Sequence, residues 1–219
     1  MPAHFFQTKT SRMLKIKHAS LRLGGRLLLQ DFNLEVKAGE WVCITGESGC
    51  GKTSLLRAAL GFLPLEEGSV SIGGEVMDVH SVDRLRRQVS YLPQELYIPE
   101  EWVRDMLRVP FSLKANRDVP RSEESLMEVW GVLGLERELL HRRVAQLSGG
   151  QRQRIVLSMS ALLGKRLLLA DEPVSALDGE SVARVSALFR RMADEGTAVL
   201  AVSHNKDFVS ACDRMVVLK

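Results

Sequence analysis

The sequence has no long hydrophobic run. Its longest apolar stretches, around Ser160–Leu163 and Leu167–Ala170, are interrupted by Gly164, Lys165 and Arg166, and neither approaches the roughly 20 apolar residues that span a bilayer. The chain therefore cannot cross a membrane by itself. The N-terminal MPAHFFQTKTSR also lacks the apolar centre and small-residue cleavage site of a signal peptide, which predicts a cytoplasmic protein. Cysteine is scarce: Cys43, Cys50 and Cys212 form neither a C-x-x-C pair nor an even framework. This excludes a disulfide scaffold, argues against a zinc module and fits a reducing compartment. Excess charge is lacking too, because 30 Lys and Arg stand against 27 Asp and Glu. A net charge of +3 does not mark a nucleic-acid binder, and the clusters Arg84/Arg86/Arg87, Arg142/Arg143 and Arg190/Arg191 read as solvated helix faces.

What is present is ample core material. With 219 residues, 45% of them hydrophobic and 26% charged, the chain can bury a self-sufficient core and is too apolar to be disordered. Leu14–Leu23 and Leu27–Val36, separated by Gly24-Gly25, read as antiparallel strands. Trp41–Thr45 reads as a short buried strand, and Lys52–Leu60 as the helix after it. From about Tyr91 to Val144 the character changes. Prolines at 93, 99, 110 and 120 break short helical pieces, and Glu123–Gly131 carries helical spacing after Ser122. Then Gln151–Leu163 is helix-like, Arg166–Ala170 a buried strand, Glu180–Ala193 an amphipathic helix and Thr197–Val202 a third buried strand. Buried strands alternating with helices imply a largely parallel sheet covered on both faces.

Gly46-Glu47-Ser48-Gly49-Cys50-Gly51-Lys52-Thr53 fits G-x-x-x-x-G-K-[ST] after a strand and before a helix. The glycines let backbone N–H groups converge on phosphate oxygens, and the helix N-terminus adds positive potential. Lys52 would neutralise β/γ charge, and the Thr53 hydroxyl would ligate Mg²⁺. Such a loop needs a metal-positioning acid on a neighbouring strand. Leu167–Ala170 delivers Asp171 for that task, followed by Glu172. Strand alternation predicts that Glu172 points to the opposite face from Asp171, which suits it to polarise the attacking water. Ser148-Gly149-Gly150-Gln151 opens another helix, with Ser148 as N-cap and accessible N–H groups. One nucleotide already has a cradle in the first loop, so this second anion site suggests docking against another subunit's nucleotide.

Together these residues resemble the nucleotide-binding subunit of ABC transporters over nearly the whole chain. Gly46–Ser54 resembles Walker A, Leu147–Gln151 the LSGGQ signature, Leu167–Asp171 Walker B with Glu172 following, and Ser175–Asp178 the D-loop. Gln94 falls at the Q-loop and His204 at the switch histidine. The resemblance implies an α/β fold: a P-loop NTPase (RecA-like) core with a mainly parallel sheet, an N-terminal antiparallel β subdomain and an inserted α-helical subdomain. In residues, this is an extension over 1–13, a core over 14–90 and 155–219, and a helical subdomain over 91–154.

It further implies ATP and Mg²⁺ as cofactors, with Glu172, His204 and Gln94 catalytic. Thr53, Gln94 and Asp171 would serve the metal. Gly46 through Ser54, Leu23, Ser148 through Gln151 and Asp178 would contact nucleotide. The implied partners are a transmembrane permease on a separate chain and a second copy bound head to tail, with no nucleic acid. The implied location is the inner face of the cell membrane. A soluble ABC ATPase acting in DNA repair, translation or cofactor assembly is the alternative; a small-molecule P-loop kinase would leave Ser148–Gln151 and His204 without a task.

The sequence also departs from the family pattern. An ungapped count back from Gly39-Glu40 puts Leu23 where many relatives carry an aromatic residue against adenine. Ser158-Met159-Ser160, Val174 and Asn205 replace common residues without removing a catalytic group. The C-terminal regulatory domain of some importer subunits is not expected after the strand Met215–Leu218. The stretch from Arg87-Gln88-Val89-Ser90-Tyr91 to Val109-Pro110-Phe111 resembles short cassettes linked to iron export.

Overall fold

Two adjacent glycines begin the architecture. In the computed structural model, which describes residues 11–95, 100–120 and 122–218, β1 (Arg12–Leu23) and β2 (Arg26–Lys37) pair antiparallel across Gly24-Gly25. Both glycines have positive φ, 58° and 82°, the conformation a two-residue hairpin turn demands. The pair closes at Leu23 opposite Arg26. β3 (Trp41–Gly46) and α1 (Lys52–Ala59) follow, then β4 (Glu67–Ile72) and β5 (Glu75–Val76). The last two return to β1 and complete a four-stranded antiparallel sheet in the order β2-β1-β4-β5. The expected N-terminal extension lies largely outside the described residues, and its end, Arg12-Met13, already belongs to β1.

After α2 (Val82–Arg86) and β6 (Val89–Leu92) the chain enters the helical region: α3 (Val103–Ser112), α4 (Glu123–Leu133) and α5 (Gly149–Leu162). Ser122 caps α4, its hydroxyl accepting from the Ser125 N–H at 3.0 Å. Pro110 lies inside α3 rather than ending it; the helix stops within its next turn, at Ser112. The chain then alternates: β7 (Leu167–Asp171), α6 (Gly179–Asp194), β8 (Ala198–Val202), α7 (Lys206–Ser210) and β9 (Arg214–Leu218). The second sheet runs β6-β7-β8-β3-β9, parallel at every pairing.

Period-two alternation in fully buried strands splits the core into two. Val42, Ile44, Leu167, Leu169, Leu200 and Val202 face one way, onto α1 and the antiparallel sheet. Trp41, Cys43, Leu168, Ala170, Val199 and Ala201 face the other, onto α4, α5 and α6. There Trp41, Phe189 and Phe208 meet edge to face, with ring centroids 5.0–5.6 Å apart. The arginine clusters are more tied down than a solvated face requires. Arg190 binds the Asp213 carboxylate and the Ala211 carbonyl, both at 2.9 Å, and Arg86 donates to the Leu60 carbonyl at 2.8 Å.

Because the second sheet is parallel, the carboxyl ends of its strands share one rim. Gly46, Leu92, Asp171 and Val202 all end there, and in such sheets ligands bind at that rim.

Candidate active site

β3 ends at Gly46, and only glycine fits: a Cβ there would lie 2.3 Å from the Leu218 carbonyl oxygen. The loop then turns through Gly49 and Gly51, with φ of 78° and 105°. Gly51 is the N-cap of α1, and the helix has neither a side-chain cap nor an acidic residue in its first turn. Its N–H groups therefore keep their positive potential for an anion. Lys52 is only 8% exposed, and its ammonium donates to the carbonyls of Gly46 at 2.9 Å and Glu47 at 2.7 Å. These bonds hold the loop in a closed arc.

Asp171 ends β7 with 2% exposure, and its Oδ1 is buried with no hydrogen-bond partner among the described residues. An orphaned carboxylate oxygen of this kind fits a hard cation with oxygen ligands. Thr53 lines the same cavity. Among the described residues no group of three or more His, Cys, Asp and Glu forms a metal cage.

The expectation for Glu172 needs correction. Strand alternation no longer applies, because β7 stops at Asp171 and Glu172 turns left-handed, with φ of 50°. Both carboxylate residues consequently line one cavity. The Glu172 N–H donates to the Val202 carbonyl at 2.9 Å, and its carbonyl accepts from the Ser175 N–H at 3.3 Å and from Gln153 Nε2 at 3.3 Å. Its Oε1 lies 3.3 Å from His204 Nε2, and its Oε2 accepts from the His204 N–H at 3.4 Å. Burial pushes the Glu172 carboxyl above the ordinary range, and His204 is the chief influence pulling it back. A half-buried carboxylate with a raised pKa is a better proton acceptor than an exposed one.

The cavity measures about 740 Å³, and Ser48, Gly49, Gly51, Lys52, Thr53, Ser54, Gln94, Asp171, Glu172 and His204 all line it. Leu23, half exposed at the hairpin turn, lies on its wall. Leu28 lies there too, and the sequence reading missed it. Its residue type gives no signal: it arrives by packing, since a Cβ on Gly51 would lie 3.1 Å from Leu28 Cβ, so β2 packs directly on the loop. The N-terminal Phe5-Phe6 segment, the alternative in the sequence for stacking on the base, falls outside the described residues. Gly46, Glu47 and Cys50 shape the loop without lining the cavity.

The remaining predicted residues stand apart. Ser148 and Gln151 form a capping box, Ser148 Oγ accepting from the Gln151 N–H at 3.1 Å and Gln151 Oε1 from the Ser148 N–H at 3.0 Å. None of Ser148, Gly149, Gly150 and Gln151 lines the large cavity. Gly149 instead borders a smaller one of about 170 Å³ with Gln94 and Ser175. Asp178 caps α6, its carboxylate accepting from the Ser181 N–H at 2.8 Å.

The chain is similar to known proteins. The ABC transporter family model matches residues 29–175, a segment that holds the phosphate loop, Gln94, Ser148–Gln151, Asp171 and Glu172. A Fe(3+) ions import ATP-binding protein, FbpC of Streptomyces avermitilis, is 38% identical over 215 residues, which is 94% of this chain and 60% of that protein. The probable iron export ATP-binding protein FetA of Escherichia coli is 30% identical, over 96% of this chain and 93% of its own length. A phosphonates import ATP-binding protein, PhnC of Hyphomonas neptunium, is 36% identical over 90% of this chain and 79% of its own. The chain thus spans about 60% of the length of the FbpC relative and nearly all of FetA, and these names carry different cargoes and opposite directions. A dimeric ATP-binding cassette solved in a post-hydrolysis state with ADP and Pi superimposes with a TM-score of 0.81 and 26% identity, covering 94% of both chains. On its fold, its phosphate loop and these relatives, the chain belongs to the ABC transporter family and is an ATP-binding cassette of it.

Proposed function

We propose that this chain binds ATP with Mg²⁺ at the rim of its parallel sheet, hydrolyses it, and so drives a transmembrane permease carried on a separate chain. The observation that carries this reading is Glu172, a carboxylate of raised pKa held by His204 beside the phosphate loop. Lys52 and the N–H groups of Gly46–Ser54 bind the phosphates. Asp171, Thr53 and Gln94 would hold Mg²⁺, which would supply charge neutralisation to the phosphates. Glu172 accepts the proton of the attacking water, and His204 keeps its carboxylate in place and contacts the γ-phosphate. Leu23, with Leu28, covers the base.

In a single chain Ser148–Gln151 lie off the cavity, which supports a composite site. Two copies pair head to tail, each setting the N-terminus of its α5 on the other's γ-phosphate, with Asp178 at the same junction. The dimeric relative bound to ADP and Pi supports this arrangement. Residues 14–90 and 155–219 form the catalytic core, and 91–154 the helical subdomain. The chain sits as a peripheral subunit on the inner face of the cell membrane; no helix among the described residues is long and apolar enough to cross a membrane.

The test has two arms. The purified chain should hydrolyse ATP only with Mg²⁺, and in mild detergent it should co-purify from native membranes with an integral membrane protein. Hydrolysis unaffected by removing the metal, or purification without any membrane protein, would contradict the reading.

A further inference from the structure

Glu172 holds a conformation that its side chain disfavours. A residue with a Cβ stays at a φ of 50° only where its surroundings fix it. Its backbone is fixed from three sides: by the Val202 carbonyl, by the Ser175 N–H, and by Gln153 Nε2 at 3.3 Å from the Glu172 carbonyl oxygen. The first two belong to β8 and to the turn itself. The third is a side chain of α5, the helix that Ser148 caps.

The Gln153 amide has no competing use. Its Oε1 is buried without a partner among the described residues, and turning the amide over would set that oxygen against the Glu172 carbonyl and lose the bond. A buried acceptor left unpaired is costly and marks a geometry that something else requires. Contact between α5 and the turn is close as well. A Cβ on Gly150 would lie 3.2 Å from Leu177 Cδ2 and 3.8 Å from the Ala176 carbonyl oxygen.

We propose that Gln153 is the positioning residue for Glu172: by holding the Glu172 carbonyl it maintains the left-handed turn that brings the carboxylate to His204. The readiness of the base then depends on where α5 sits, and α5 is the same helix whose N-terminus carries Ser148–Gln151. This inference rests on the reading of Glu172 as the proton acceptor. It needs no contact between Gln153 and nucleotide, and Gln153 does not line the large cavity.

Gln153→Met keeps the side-chain length and removes the donor; Gln153→Glu keeps the shape and sets an acceptor against the carbonyl. At saturating MgATP both should lose about three- to tenfold in kcat, the range for one hydrogen bond. ATP affinity should stay within about twofold of wild type, since the phosphate grip is untouched. In a Glu172→Gln background, Gln153→Met should cost no further rate, because its effect passes through Glu172. An unchanged kcat, a loss appearing in ATP affinity instead, or an undiminished further loss in the Glu172→Gln background would overturn the proposal. Near wild-type turnover by Glu172→Gln alone would remove its premise, and that outcome is separate from one in which Glu172→Gln is dead and Gln153→Met fully active. Should Gln153→Met fail to fold, Gln153→Glu carries the same measurements.

Discussion

His204 holds both oxygens of the Glu172 carboxylate: Nε2 lies 3.3 Å from Oε1 and the backbone N–H donates to Oε2 at 3.4 Å. The grip joins the residue after β7 to the residues after β8, so two strand ends define one geometry. Burial raises the Glu172 pKa, and the charge and the N–H of His204 restrain that rise.

His204→Ala removes the restraint from the side chain. The carboxyl should then titrate higher, and the acid limb of the kcat–pH profile should move toward neutral pH, on top of the pH-independent fall in kcat from the lost γ-phosphate contact. Steady-state hydrolysis across pH at saturating MgATP reads this directly. An acid limb that stays in place would separate His204 from the ionisation of Glu172.

The same raised pKa bears on stability. A carboxyl whose pKa is higher folded than unfolded favours the folded state while protonated, and that contribution is lost as pH rises through the folded pKa. Once ionised, Glu172 therefore favours the folded state less than when it is protonated, and a neutral amide relieves that cost. Glu172→Gln should melt higher than wild type near pH 7, with the difference shrinking as pH falls below the ordinary carboxyl range. A variant that melts lower at neutral pH would contradict the assigned direction.

Much of this site was legible in the sequence, for physical reasons. The phosphate loop is local: its glycines, Lys52 and the helix that follows specify one another within a few residues. Asp171 was legible because a fully apolar run had to be a buried strand, and a carboxylate at its end had to lie at the sheet rim. The facing of Glu172 was not legible, because alternation holds only while the strand continues, and the left-handed turn is stabilised from β8 and α5. Leu28 and Gln153 were missed for a related reason. Both reach the site through packing between elements distant in sequence, and neither residue type signals chemistry by itself. The weak pairs β4 and β5 carried too little pattern to be read before the antiparallel sheet was seen.

Leu23 and Leu28 give the cavity an apolar wall without an aromatic face. An aromatic stack contributes roughly 0.5–1.5 kcal/mol beyond area burial. Leu23→Tyr should therefore tighten ATP several-fold while changing turnover at saturation much less, because stacking is equal in ground and transition states. Wild type should discriminate poorly between ATP and GTP. Nucleotide titration of both proteins reads the effect; no gain from Leu23→Tyr would place the base elsewhere.

Lys52→Ala and Ser148→Arg should fail differently. The first removes the charge that closes the phosphate loop and should weaken ATP binding by a single chain. The second puts bulk and charge at the α5 N-terminus, outside the cavity, and should leave single-chain binding intact while blocking ATP-dependent pairing. Equilibrium binding together with sedimentation separates the two. Weakened single-chain binding by Ser148→Arg would place that helix terminus in its own chain's site.

Single-turnover hydrolysis of pre-bound MgATP by Glu172→Gln tests the central claim most directly. The amide keeps the size of the side chain and cannot accept the proton, so binding should match wild type while cleavage slows by about 10²–10⁴, the usual range for losing a general base. Bound ATP should persist uncleaved and accumulate in paired chains. Cleavage at close to the wild-type rate would contradict the assignment of Glu172 as the proton acceptor.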